Sequence, residues 1–317
     1  MVTGRVLILV GPTASGKTEV ARAVARRRDV EIVSADSRQI YRFLTIGTAK
    51  PSPADLSAVP HHCVDIVDPD ARYSAGEFGR AGRAVLDDII SRGRLPLVVG
   101  GSGLYVRALV DGLFEGPGAE PEMRAELGRE LEAKGIAALL DELRDVDPEI
   151  AARVSPTNPR RILRALEVYR QTGTPLSVHQ RMGKVEINFD PFFAGLRWER
   201  GELYRRIEQR CMEMLEQGLL REVESLGQRG YGPQLNALQT VGYAEAVRHL
   251  AGEISYEEMV RLFKQNSRRY AKRQLTWFNA DARIHWIDCT VQDSADDLGQ
   301  RVLALFDGEP PNPSPPS

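Results

Sequence analysis

Residues Gly11–Thr18 read Gly-Pro-Thr-Ala-Ser-Gly-Lys-Thr, with the apolar run Arg5–Val10 (RVLILV) before them and Lys17–Arg28 after, where Val20, Ala21 and Val24 recur at helical spacing. A glycine, four residues, then Gly-Lys-Thr between a strand and a helix is the pattern of a phosphate-binding loop. About one chain in a hundred of this length would match it by chance, and fewer in the right strand–helix context. The residue types follow from physics. Gly11 and Gly16 let consecutive N–H groups turn inward around a phosphate, the helix start adds partial positive charge, and Lys17 adds a full one. Pro12, Thr13, Ala14 and Ser15 complete the cradle, and the Thr18 hydroxyl is placed to bind Mg2+. Such a loop recognises a diphosphate, which nucleotides share with other metabolites.

Working outward, Val30–Ser34 (VEIVS) and Leu95–Val99 (LPLVV) read as further buried strands, the second preceded by a helical pattern over Ala75–Ser91. Short apolar runs alternating with helices predict βαβ units around a parallel sheet, an α/β fold with a P-loop NTPase-like core. Gly and Pro cluster over Asp111–Pro121. From there to about Gly173 the pattern is helical, with breaks at Asp147-Pro148 and Thr157-Asn158-Pro159. Strand character returns at Pro191–Leu196, helices run to Ala280, and Ile284–Ile287 precedes a closing helix. The expected organisation is a core over 1–115 and 191–307, an all-helical insertion over 116–190, and a Pro-rich disordered tail over 308–317.

The 317 residues carry 42 Lys+Arg against 44 Asp+Glu, so no general basic coat exists and a polyanion partner must meet a local patch. Cys63, Cys211 and Cys289 are far apart and odd in number, which excludes a disulfide framework or a paired-cysteine zinc site. No stretch approaches 18 apolar residues, so no membrane segment is expected and the predicted setting is cytoplasmic. A hydrolytic nucleoside triphosphatase normally needs an apolar strand ending in an Mg2+-binding Asp. Leu95–Gly103 (LPLVVGGSG) ends in glycines, and Ile284–Asp288 (IHWID) reads as a closing strand.

After the second strand come Ser34–Arg42 (SADSRQIYR), Ile46–Pro51 (IGTAKP), Pro60-His61-His62 with Asp65, and Gly100–Tyr105 (GGSGLY). Asn158–Val168 (NPRRILRALEV), Thr172–Pro175 (TGTP), Gln239–Tyr243 (QTVGY) and Arg269–Phe278 (RYAKRQLTWF) follow in order. Together with the phosphate loop, this series closely resembles the tRNA dimethylallyltransferases, from Val6 to about Asp288. The resemblance implies transfer of a dimethylallyl group from its diphosphate to N6 of the adenosine 3′ of the tRNA anticodon, by a monomeric cytoplasmic enzyme with Mg2+. Thr45 stands where the family usually has Asp, Ser102 where it usually has Thr, and Asn279 where Arg is common. No Cys/His pair beyond Cys289 could build the zinc finger of eukaryotic members.

An amine of low nucleophilicity attacking an allylic diphosphate needs cations on the leaving group and a carboxylate near the amine. Lys17 and Thr18-bound Mg2+ would meet the first need. Asp36, just past the second strand, lies on the rim where parallel-sheet proteins gather ligands. Alone it reads as a turn or capping residue; the resemblance makes it the general base, with Ser102, after the third strand, lining the same pocket. The resemblance also implies tRNA contacts from Asp36, Ser37, Arg38, Gln39 and Ser102, and from Gln239, Thr240, Val241, Gly242 and Tyr243. In the insertion it implies them from Arg124, Arg160, Arg161, Ile162, Leu163 and Arg164, and in the last long helix from Lys272, Arg273, Gln274, Thr276 and Trp277. His61 and His62 read as structural, because neighbours on an extended segment face opposite ways and cannot easily share a metal.

Between Val260 and His285 seven basic residues stand against Asp281 alone, six of them within about half a turn of a helix. A solvated face normally mixes both signs. With Arg160, Arg161 and Arg164, this favours a folded RNA partner over a P-loop small-molecule kinase or a free-nucleotide isopentenyltransferase, which have no use for such surfaces.

Overall fold

A computed structural model describes residues 4–113, 120–182 and 185–308. The chain forms two compact units, Met1–Val110 with Ile187–Ser317 and Asp111–Glu186.

The first unit opens with β1 (Gly4–Val10), α1 (Lys17–Ala25), β2 (Val30–Ser34), α2 (Pro53–Ala58), β3 (His61–His62), α3 (Ala75–Ser91), β4 (Leu95–Gly100) and α4 (Gly103–Val110). Val6 to Val10 are fully buried, as a central parallel strand covered on both faces requires. α3 begins at a reciprocal cap: Ser74 Oγ accepts from Glu77 N at 3.1 Å and the Glu77 carboxylate from Ser74 N at 2.7 Å. The sequence pattern assigns no element to 53–62 or 103–110. There α2 buries no residue and β3 has two residues, whereas α4 is too uniformly apolar to show a period.

The second unit holds α5 (Pro121–Val146), broken at Gly135, α6 (Pro148–Arg153), α7 (Pro159–Thr172) and α8 (Leu176–Met182). Leu127, Leu139, Leu143, Ile162 and Leu166 form its own core. Its boundaries fall a few residues before the expected 116–190.

The first unit resumes with β5 (Phe189–Trp198), α9 (Arg200–Glu216), α10 (Leu219–Gln228), α11 (Tyr243–Leu250), α12 (Tyr256–Asn279), β6 (Ile284–Cys289) and α13 (Ala295–Asp307). β5 starts two residues before the predicted run, because Phe189 and Asp190 already pair with Gly4 and Arg5. The expected disordered tail lies, beyond Gly308, outside the described residues. The six strands are parallel in the order β3-β2-β4-β1-β5-β6. β2, β4 and β1 are therefore neighbours, and their C-terminal ends share one edge, where ligands of open parallel sheets bind. Among the described residues no helix is long and apolar enough to cross a membrane.

Candidate active site

The segment after β1 turns tightly into the start of α1, and its carbonyls are held by Lys17 and by two residues from elsewhere in the unit. Lys17 Nζ donates to Gly11 O at 3.0 Å and Pro12 O at 2.6 Å, Arg206 Nε to Ala14 O at 3.0 Å, and Trp198 Nε1 to Ser15 O at 3.0 Å. With those carbonyls engaged, the N–H groups of Gly16, Lys17 and Thr18, which have no intrahelical acceptor, are left for an anion. Gly16 caps α1 at φ +90°, a left-handed conformation that favours glycine.

Two cations meet here. Burial, and then the charge of Arg210, push the Lys17 ammonium down to about 8, with Asp36 and Glu19 opposing. Arg210, on α9, carries no ion pair or hydrogen bond among the described residues and feels the charges of Glu19 and Asp36. The sequence reading missed it, because in the charge-rich helix RGELYRRIEQR nothing separates Arg210 from its solvated neighbours.

Asp36 sits one residue beyond Ala35, whose N–H donates to Val99 O at 2.8 Å on β4. Its Oδ1 accepts from Arg38 N at 2.8 Å, and its carboxylate lines a cavity of about 60 Å³ with Lys17, Thr18 and His61. Ser102 comes from the end of β4. Its Oγ accepts from Ser37 N at 3.0 Å and its N–H donates to Ala35 O at 3.2 Å. A second, open cleft of about 380 Å³ is lined by Ser37, Arg38, Ser102, Tyr270, Arg273 and Trp277. Burial pushes the Tyr270 phenol up to about 12, with the nearby Asp36 charge adding to it.

Thr18 and Asp36 offer oxygen donors of the kind Mg2+ takes, in a cavity they share with Lys17. Among the described residues no group of three or more His, Cys, Asp or Glu could hold a metal. An ion at Thr18 would therefore need oxygens from a substrate.

Several predicted contact residues have structural roles instead. Gln39 is fully occupied: Oε1 accepts from Ser34 Oγ at 2.9 Å, and Nε2 donates to Thr48 O at 3.2 Å and Ala49 O at 3.1 Å. Arg38 is different: it donates to Asn236 O at 2.8 Å through an exposed bond and still lines the open cleft. Tyr243 is fully buried with its hydroxyl on Glu222, so it cannot touch RNA, and Gly242 is buried beside it. Thr240 Oγ1 donates to Ala237 O at 2.7 Å, Val241 is half-buried, and Gln239 is exposed. In α12, Lys272, Arg273 and Thr276 are exposed, whereas Gln274 is buried. The expected all-positive face is partly neutralised, since Arg261 pairs with Glu258, Arg268 with Glu208 and Arg283 with Asp281. Lys264, Arg269, Lys272 and Arg273 carry no ion pair among the described residues.

In the second unit Ile162 is fully buried and Leu163 packs on the same core, so both support α7 and neither is placed to read a base. Arg124 and Arg164 each donate at 2.8 Å to the buried carboxylate of Glu167, while Arg160 and Arg161 are exposed. The histidines are structural in part. His62 Nε2 meets Glu31 at 2.7 Å, and although burial would raise the Glu31 carboxyl, Arg92, His62 and Arg94 hold it at about 2. His61 Nδ1 lies 2.7 Å from Val59 O. The Thr45 departure is absorbed by backbone, since its N–H donates to Glu222 at 3.1 Å while its side chain is exposed. Asn279 is exposed at the end of α12. Asp288 is held by Arg197 at 2.7 Å on edge strand β6.

Residues 39–281 match the IPP transferase family, and residues 4–64 match Isopentenyl transferase. A tRNA dimethylallyltransferase 2 of Geotalea uraniireducens is 51% identical, over 90% of this chain and 92% of that protein. The structure of a tRNA isopentenylpyrophosphate transferase from Bacillus halodurans aligns over 96% of both chains with 38% identity and a TM-score of 0.70. That of a eukaryotic dimethylallyltransferase acting on tRNA aligns over 98% of this chain and 81% of its own, with 25% identity and a TM-score of 0.78. By its cradle, its sheet and these similarities, the chain belongs to the IPP transferase family, the tRNA dimethylallyltransferases.

Proposed function

We propose that this enzyme transfers the dimethylallyl group of dimethylallyl diphosphate to N6 of the adenosine 3′ of the anticodon, working in the cytoplasm as a monomer. The observation that carries this reading is that Lys17, Thr18 and Asp36 line one cavity beside the shared edge of β1, β2 and β4, with the charge of Arg210 acting on Lys17.

The N6 lone pair forms a bond to C1 of the dimethylallyl group, the C1–O bond breaks, and its electron pair leaves with the diphosphate. Lys17, Arg210 and the first-turn amides of α1 stabilise the charge that develops on the leaving oxygens. Asp36 accepts the amine proton. Arg38 N–H and the tie between Ser37 and Ser102 orient that carboxylate. Bound Mg2+, held by Thr18 and substrate oxygens, would add positive charge to the leaving group. The target base lies in a single-stranded loop, so swinging it out is cheaper than opening a duplex, and the cleft lined by Tyr270 and Trp277 offers aromatic faces for it.

Incubation with labelled dimethylallyl diphosphate, Mg2+ and unmodified tRNA should put label on the tRNA, while labelled ATP should leave no phosphorylated product. Phosphoryl transfer to a small metabolite with no labelled tRNA would overturn the reading in favour of a kinase.

A further inference from the structure

Gln274 joins the two halves of the site. It is buried on α12, where Oε1 accepts from Thr13 N in the phosphate loop at 2.8 Å and Nε2 donates to Gly101 O, just before Ser102, at 2.9 Å. A Cβ at Gly101 would stand 2.3 Å from Nε2, so any larger residue there would displace the carboxamide. One turn on, the Trp277 indole lies against Gly103, where a Cβ would meet it at 2.1 Å. The residues Tyr270, Gln274 and Trp277 thus lay one face of α12 against the end of β4.

We propose that Gln274 is a positioning residue that sets the spacing between the phosphate loop and the acceptor cleft at Ser102. The proposal rests on the transfer reaction above for its kinetic consequence, though not for the bridge itself. Both ends of the carboxamide are occupied by backbone groups, Gly101 O in the interior and the half-buried Thr13 N–H, so Gln274 borders the cleft with its polar atoms already engaged by the loop and the strand end. Among side chains that could fill this space, a carboxamide offers a donor and an acceptor on one planar end. Glutamate would set a carboxylate against Gly101 O, and methionine would leave Gly101 O unpaired in the interior and the half-buried Thr13 N–H without its partner. Because the loop holds the leaving group and Ser102 borders the Asp36 turn, a shift between them changes the line along which amine, carbon and leaving oxygen meet.

The test compares wild type with Gln274→Met, Gln274→Glu and, in case these fold poorly, Gly101→Ala, which displaces the carboxamide from the opposite side. Single-turnover transfer should fall by about a hundredfold in folded variants, with tRNA and dimethylallyl diphosphate affinities within about threefold of wild type. Hydrogen exchange at the Thr13 amide should accelerate in Gln274→Met and Gly101→Ala. A wild-type transfer rate in Gln274→Met would overturn the proposal. So would a large loss of tRNA affinity with the saturated rate intact, which would make Gln274 an RNA-binding residue. Unlabelled tRNA with the wild-type enzyme would sink the proposed function instead. In that case exchange at Thr13 still decides the bridge, and unchanged exchange in both variants would overturn it.

Discussion

The backbone N–H of Ser37 donates to Ser102 Oγ at 3.0 Å, tying the turn after β2 to the end of β4 one residue from Asp36. A hydroxyl suffices for this tie, so serine can serve where the family usually has threonine. Asp36→Asn keeps size and one acceptor but cannot take a proton. Transfer in a single turnover should fall by about 10²–10⁴ while tRNA binding stays within a few fold. Ser102→Ala should cost less, and Ser102→Thr should recover the rate. A wild-type rate in Asp36→Asn beside a slow Ser102→Ala would remove Asp36 as the base.

The Lys17 ammonium, pushed down by burial to about 8 against an ordinary value of 10.5, should make diphosphate binding pH-dependent. A lowered amine is charged below about pH 8 and loses its proton as pH rises through that value. Dimethylallyl diphosphate affinity should therefore be flat near pH 7 and weaken above pH 8, with uptake of up to one proton on binding. Calorimetry in two buffers of different ionisation enthalpy reads that uptake directly, and Lys17→Met should abolish it. For folding the sign is opposite. The buried cation opposes folding below about pH 8, and that cost lifts between about pH 8 and 10.5. Flat affinity to pH 9.5 with no proton uptake would show that Lys17 stays charged throughout.

The fold was legible because a parallel sheet writes itself as continuous apolar runs, and the ends of Arg5–Val10, Val30–Ser34 and Leu95–Val99 pointed to Asp36 and Ser102. Arg210 was not legible, since its neighbourhood arises from the packing of α9 under the phosphate loop and leaves no trace in spacing. Gln39, Tyr243 and Gln274 show the opposite error. The sequence marks these positions as belonging to the site, but whether a side chain faces RNA or holds its neighbours depends on hydrogen bonds across 5 to 261 residues of chain. Charge on α12 was overcounted because Glu258, the partner of Arg261, lies just before the counted stretch and Glu208, the partner of Arg268, lies on another helix.

That pairing sharpens the RNA prediction. Lys264, Arg269 and Lys272 have no carboxylate partner among the described residues, whereas Arg268 bonds Glu208. Arg269→Ala with Lys272→Ala should weaken tRNA binding and reduce the salt slope by about one for each phosphate the double variant no longer neutralises. Arg268→Ala should change the slope least. Equal slopes in wild type and the double variant, measured from low to physiological salt, would mean this face is only solvated.

Glu222 gathers an unusual set of donors: the N–H groups of Thr45, Ile46 and Gly47 at 3.1, 2.8 and 3.4 Å, and the hydroxyl of buried Tyr243. Burial and this carboxylate push the Tyr243 phenol up, so it remains a donor throughout the neutral range. The loop so held offers Thr48 O and Ala49 O to Gln39, which in turn takes the Ser34 hydroxyl two residues before Asp36. Glu222→Gln keeps the shape but turns an amide group toward donors, leaving at least one of them unpaired, and should destabilise the fold by about 1–3 kcal/mol. Tyr243→Phe should cost about 1 kcal/mol, and the two losses should not add, because they share one bond. If the loop also fixes the Asp36 turn, transfer at a temperature where every variant is folded should slow in Glu222→Gln, with little change in dimethylallyl diphosphate affinity. Thermal unfolding and single-turnover rates on the same samples separate the two effects. Lower stability with an unchanged rate would confine Glu222 to the fold, and unchanged stability would mean that the three amides find water as good a partner as the carboxylate.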